Sequence, residues 1–77
     1  MTILSERLRW VRKHAGLTQR ELATRAKMAR ATITLYESGR REPIASSLLL
    51  LADALDVSTD YLLGRTVVPL PEQETWP

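Results

Sequence analysis

Apolar residues recur at helical spacing along most of this chain. Leu4, Leu8, Val11 and Ala15 follow one another at intervals of four, three and four residues, which is one stripe of an amphipathic helix. Gly16 stands where such a helix stops, as a C′-type residue. Thr18-Gln19-Arg20-Glu21 then reads as a Thr-x-x-Glu capping box, in which each side chain satisfies the other's orphan backbone N–H. It opens a short second helix with Leu22, Ala23 and Ala26 on its inner face, and Met28 falls in a brief connection. Leu48, Leu51, Ala52 and Leu55 form the stripe of a later helix. Val57 and Ser58 cap a final short turn, Thr59 to Leu63, stopped by Gly64.

Residues 31–39, ATITLYESG, pattern differently. Polar and apolar residues alternate from Thr32 to Leu35, and three of those four are β-branched, which is strand-like locally. A strand here would lack a partner, because only the short Thr66-Val67-Val68 has similar character and an isolated two-stranded ribbon is marginal. Helical neighbours on both sides also outweigh propensity differences well under ~1 kcal/mol per residue. Wound at about 100° per residue, the segment sorts cleanly. Ile33 and Tyr36 share one side, while Arg30, Ala31, Thr34, Leu35 and Ser38 share the other. The sorting predicts a helix that ends at Gly39. Arg40-Arg41-Glu42-Pro43 is the connection that follows.

Composition narrows the function classes. The 77 residues contain no cysteine, so disulfides and thiolate metal sites are excluded, in keeping with a reducing cytoplasm. The longest apolar run, Leu48 to Ala52, is far short of a membrane span, and Glu6, Arg7 and Arg9 interrupt any signal-like N-terminus. One histidine, no glycine-rich phosphate loop and no nucleophile–base pair argue against an enzyme, a metal site or a small-molecule cofactor. His14, on a helix flank, reads as a surface or tail-packing residue rather than a ligand. Net charge is only +2, but residues 1–41 carry +7 and residues 42–77 carry −5. A basic half of this kind points to an anionic partner, nucleic acid first. Residues 65–77 hold Pro69, Pro71 and Pro77, which predicts an extended tail behind a domain of residues 1–64.

With the segments placed, the chain resembles the helix-turn-helix family of phage repressor and Cro proteins, the XRE-like transcriptional regulators. The matching residues run from Leu8 to Gly64. They include Arg12, Gly16-Leu17-Thr18-Gln19, Leu22-Ala23, Met28, Ile33-Thr34, Tyr36-Glu37-Ser38-Gly39, Arg41-Glu42-Pro43, Leu48, Leu51-Ala52, Leu55, Val57-Ser58, Asp60-Tyr61-Leu62 and Gly64. The resemblance implies an all-α, compact five-helix domain whose second and third helices form the DNA-binding unit, with the third lying in the major groove. Two positions depart from the family pattern. Lys27 stands where the turn between those helices usually has Gly, often in a left-handed conformation. Ala29 replaces the usual Ser or Thr cap of the third helix.

Carried over position by position, the resemblance implies base contacts from Arg30, Ala31, Thr34 and Leu35. Arg30 has the fork that reads guanine O6 and N7, or it clamps a phosphate. Ala31 and Leu35 offer only apolar contact, as to a thymine methyl; the plain role for Leu35 is partial burial. Phosphates fall to the free N–H groups at the start of the second helix, beside Thr18 and Gln19, and to Ser38, Arg40 and Arg41. Lys27 adds a phosphate contact or points into solvent. Arg12 and Glu37 match positions that pair in the family and tie the first helix to the third.

Leu49 and Leu50 lie outside the fourth helix's core stripe, and Trp10 lies off the stripe of the first. They suit either a homodimer interface, since such repressors bind paired half-sites, or a surface covered by the tail. The expected function is sequence-specific binding of double-stranded DNA by a small regulator, in the manner of a repressor. A restriction–modification controller or a DNA-binding antitoxin would suit the same residues. The alternative is a protein-interaction module that kept the fold and lost DNA.

Overall fold

The computed structural model describes residues 2–65. They form five helices: α1 (Ile3–His14), α2 (Gln19–Ala26), α3 (Arg30–Ser38), α4 (Ala45–Leu55) and α5 (Thr59–Leu62). The domain is all-α, and the ATITLYESG segment is helical. Most of the extended tail expected over residues 65–77 lies outside the described residues. No helix among those described is long and apolar enough to cross a membrane.

The starts and stops follow local chemistry. Thr18 accepts a hydrogen bond from the Glu21 N–H at 3.1 Å, and Glu21 accepts one from the Thr18 N–H at 2.8 Å. That is the capping box foreseen from the sequence. A second box at α1 pairs Thr2 with Ser5, where Ser5 takes the part usually played by Glu or Gln. Ser58 caps α5 by accepting from the Tyr61 N–H; Val57 is a core residue rather than a cap.

All five helices close in the same way. A residue two or three past the helix end donates to a carbonyl five positions back, as in Met28 N–H to Ala23 C=O at 2.9 Å and Arg40 N–H to Leu35 C=O at 3.1 Å. The residue between must be left-handed. Glycine fills that place after α1, α3 and α5, whereas Lys27 (φ 59°) and Asp56 (φ 56°) fill it after α2 and α4.

Lys27 therefore carries strain at the helix-turn-helix turn itself. A side chain at positive φ costs about 1–2 kcal/mol, partly offset by the greater unfolded-state entropy of glycine. Lys27→Gly is expected to stabilise the domain by about 0.5–1 kcal/mol, a rise of a few degrees in melting temperature on the scale of about 4–8 °C per kcal/mol. A calorimetric scan showing a lower melting temperature would refute the strain.

The core gathers Leu4, Leu8 and Val11 from α1, Leu22, Ala23 and Ala26 from α2, and Ile33 and Tyr36 from α3. Leu48, Leu51, Ala52, Leu55, Val57, Tyr61 and Leu62 complete it. Ala15, expected on the α1 stripe, instead forms the exposed C-cap of that helix. The stripe ends one turn earlier because Gly16 turns the chain away. α1 packs against α3 and α5, α2 against α3 and α4, and α4 against α5. Arg7 fastens α1 to α5, donating to the Tyr61 carbonyl at 2.7 Å and lying 4.5 Å above its ring. Burial raises the Tyr61 pKa, and the Arg7 charge partly opposes that rise. With Ile33 and Tyr36 anchoring one side of α3, its other side is left facing out, next to the start of α2.

Candidate nucleic-acid interface

The site is organised around one buried ion pair. Arg12, on α1, donates from Nε to Glu37 Oε2 at 2.6 Å and from Nη2 to Glu37 Oε1 at 3.1 Å. The two side chains are 10% and 3% exposed, and the fork-to-carboxylate geometry is bidentate. Arg12 Nη1 also donates to the Leu17 carbonyl at 2.8 Å. One guanidinium thus ties α1 to both the approach to α2 and the far end of α3.

Gln19 extends this network outward. Its Nε2 donates to Glu37 Oε1 at 3.1 Å, and its Oε1 accepts from the Thr34 hydroxyl at 2.9 Å. The first residue of α2 is therefore fastened to the middle of α3, which sets the angle between the two helices. No buried side-chain nitrogen or oxygen among the described residues lacks a partner.

Around this frame lie two open depressions. One, of about 630 Å³, is lined by Arg12, Thr18, Gln19, Arg20 and Arg30. The other, of about 240 Å³, is lined by Arg9, Arg12, Gln19, Thr34, Glu37 and Ser38. They place the free N–H end of α2 beside the outer face of α3 in a surface rich in arginine. Such an end, with its partial positive charge, is a ready anion site. Glu21 stands near it, and its hydrogen bonds from the backbone N–H and then the hydroxyl of Thr18 lower its pKa, aided by Arg25. That contribution to stability is present above the ordinary carboxylate pKa and is lost as pH falls through the lowered one.

The outward face of α3 carries Arg30, Ala31 and Thr34 exposed and Leu35 half-buried. Lys27 is exposed on the turn, and Arg40 and Arg41 are exposed just past α3. Ser38 is exposed too, but its hydroxyl donates to the Leu35 carbonyl at 3.0 Å, so donating to a phosphate requires it to rotate. Ala29 precedes α3 without a side-chain cap, as its methyl dictates. The helix still starts at Arg30.

Two arginines beside the expected contacts, Arg9 and Arg20, were not among the residues singled out from sequence. Arg9 precedes Arg12 by three residues on α1, and that spacing puts both on one helical face. Arg20 follows the Thr18 cap within the first turn of α2. Each signal was present as spacing to a residue already marked.

The remaining singled-out residues lie elsewhere. Trp10 is half-buried on α1, its ring stacked 3.5 Å from that of His14, next to a shallow depression lined also by Glu6, Arg9 and Lys13. Leu49 and Leu50 stand on the outer side of α4, 56% and 43% exposed.

A capped helix, a tight turn, and a second helix held with its polar face outward define a helix-turn-helix domain of the repressor type. The chain belongs to the helix-turn-helix family, whose model matches residues 8–62. It is 40% identical over 65 residues to the HTH-type transcriptional regulator ImmR of Bacillus subtilis (strain 168), a match covering 84% of this chain and 51% of ImmR. Its fold is similar to that of the P22 c2 repressor in complex with a synthetic operator, with a TM-score of 0.77 and 33% identity, covering 82% of this chain and 96% of that one. It is also similar to SinR, a master regulator for biofilm formation, in complex with DNA, with a TM-score of 0.75 and 30% identity, covering 78% and 97%. The chain spans about half the length of the curated relative it matches.

Proposed function

We propose that this domain binds double-stranded DNA sequence-specifically, with α3 in the major groove, and regulates transcription by occupying its site as a repressor does. The observation that carries the proposal is the joint presentation of the α2 N-terminus and the polar face of α3, locked together through Glu37, Gln19 and Thr34. Phosphate contacts come from the start of α2 with Thr18 and Gln19, and from Lys27, Arg40, Arg41, Arg9 and Arg20. Ser38 joins them once its hydroxyl rotates. Base edges are met by Arg30, Ala31, Thr34 and Leu35. The likeness to a repressor on its operator and to a regulator on DNA supports DNA binding by this domain. Work on DNA belongs to the compartment that holds it, the cytoplasm in a bacterial cell, and requires neither cofactor nor catalysis.

Binding is proposed to involve two copies on half-sites about 34 Å apart. Leu49 and Leu50, exposed on α4, supply an apolar surface for the second copy. Selecting bound sequences from a random DNA pool tests both parts. The expected result is a palindromic motif for the wild type, with Leu50→Glu sedimenting as a monomer and binding more weakly. A pool without enrichment would contradict the proposal. An unchanged dimer in Leu50→Glu would remove Leu50 from the interface.

A further inference from the structure

Thr34 meets DNA with its proton already committed. Two acceptors behind it, where Ser38 has one, draw that proton inward. Glu37, held by the Arg12 guanidinium, is a carboxylate and can only accept. The end of the Gln19 amide that faces Glu37 must therefore be the NH₂ group, which puts its carbonyl oxygen toward Thr34. A carbonyl oxygen also only accepts, so the Thr34 hydroxyl must donate to it at 2.9 Å. The other neighbour of that hydroxyl, the Arg30 carbonyl at 3.3 Å, is again an acceptor. Whichever of the two takes the proton, it points into the protein.

We infer that Thr34 presents only lone pairs to the groove and is a specificity-determining residue that selects a base bearing an amino group. This rests on the DNA-binding function proposed above and adds to it which chemistry one position reads. In the major groove, the C4 amino of cytosine and the C6 amino of adenine donate, whereas thymine O4 and guanine O6 accept. An acceptor-only hydroxyl therefore welcomes A or C on the strand it faces. It opposes G or T there, where two acceptors would meet without a proton between them. The resulting signature is unusual. At one position of each half-site, exchanging A·T for C·G is tolerated, while inverting either pair to T·A or G·C is not. The buried ion pair thus reinforces what is read at the surface, through a single amide whose orientation it dictates.

The test compares sequences selected from a random DNA pool by the wild type and by Thr34→Val, Thr34→Ser and Gln19→Met, with thermal melts of each protein. Thr34→Val keeps the methyl group and shape of the exposed side chain and removes only the hydroxyl. The wild type and Thr34→Ser are expected to favour amino over keto bases about fivefold or more at one half-site position, the scale of one hydrogen bond. Thr34→Val is expected to abolish that preference and leave the others intact. Gln19→Met removes the nearer of the two inward acceptors and leaves the Arg30 carbonyl at 3.3 Å, so it is expected to weaken the amino preference in part, beyond any uniform loss of affinity. If the wild type enriches a motif but Thr34→Val leaves every amino-to-keto ratio unchanged, or the Thr34-dependent position prefers keto bases, the inference is overturned while DNA binding stands. If the wild type enriches no motif, the DNA-binding proposal itself falls, and the inference with it.

Discussion

Replacing Glu37 with alanine is expected to destabilise the domain by about 3 kcal/mol or more. The Arg12 side chain is 10% exposed, so without Glu37 a full positive charge remains inside with only the Leu17 carbonyl to face it. The Gln19 amide loses its acceptor at the same time. Domains of this size have a total stability on the order of 0.05–0.15 kcal/mol per residue, so the loss is a large share of what holds the fold. At about 4–8 °C per kcal/mol, the melting temperature should fall by well over 10 °C. The double substitution Arg12→Met with Glu37→Leu separates charge from packing. Buried pairs replaced by apolar groups of similar volume are often neutral or stabilising, so the double variant should melt near the wild type. A Glu37→Ala melting temperature within 2–3 °C of wild type, a small shift on that scale, would show that the pair does not carry the link between α1 and α3.

Arg30→Ala should leave the melting temperature unchanged and reduce affinity for the selected site by roughly 5- to 150-fold, the range for loss of a bidentate base contact. Arg30 is exposed at the first position of α3 and lines the depression beside Thr18, Gln19 and Arg20. In the proposed pose, with α3 in the major groove, its fork meets a guanine edge. The pattern of loss identifies the contact. A base reader loses preference at one position and keeps the rest, whereas a phosphate clamp weakens all sequences alike and lowers the salt slope by about one. Selection on the variant, beside a salt titration, decides between them. Preserved guanine preference with a lower slope would move Arg30 from the bases to the backbone.

What was legible in the sequence followed from short-range physics. Helix starts at Thr18, stops at Gly16, Gly39 and Gly64, and the inward faces of α2 and α4 all depend on neighbours within a few residues. Even the strand-like 31–39 yielded once Ile33 and Tyr36 were seen to share one side, and both are buried. The left-handed residue at Asp56 was not legible, because aspartate does not announce positive φ as glycine does. Nor was the cap of α1, where serine replaces the usual Glu or Gln of a capping box.

The candidate site divides along the same line. Arg12 and Glu37 are 25 residues apart, and no local pattern joins them; only the resemblance to a known family brought them together. Its place at a helix start marks Gln19 as a phosphate contact. Its second role, linking Glu37 to Thr34, depends on three helices meeting, which periodicity cannot express. The orientation of the Thr34 hydroxyl is a further step removed, since it follows from the chemistry of two partners in space. Arg9 and Arg20 are legible as charge and as spacing to Arg12 and Thr18, but only the packing of α1 beside α2 and α3 puts them on one surface with the expected contacts.

The central claim is that the arginine-rich face around the α2 start and α3 grips the phosphates of duplex DNA while α3 reads its bases. Measuring the affinity of the domain for its selected site and for random duplex across a range of salt concentrations tests this most directly. Each neutralised phosphate contributes about −0.9 to the slope of log K against log salt, and the cations on this face predict a slope of about −3 to −5 per domain. The selected site should be held on the order of a thousandfold more tightly than random duplex at the same salt. A slope near zero, with no difference between the two duplexes, would contradict the claim.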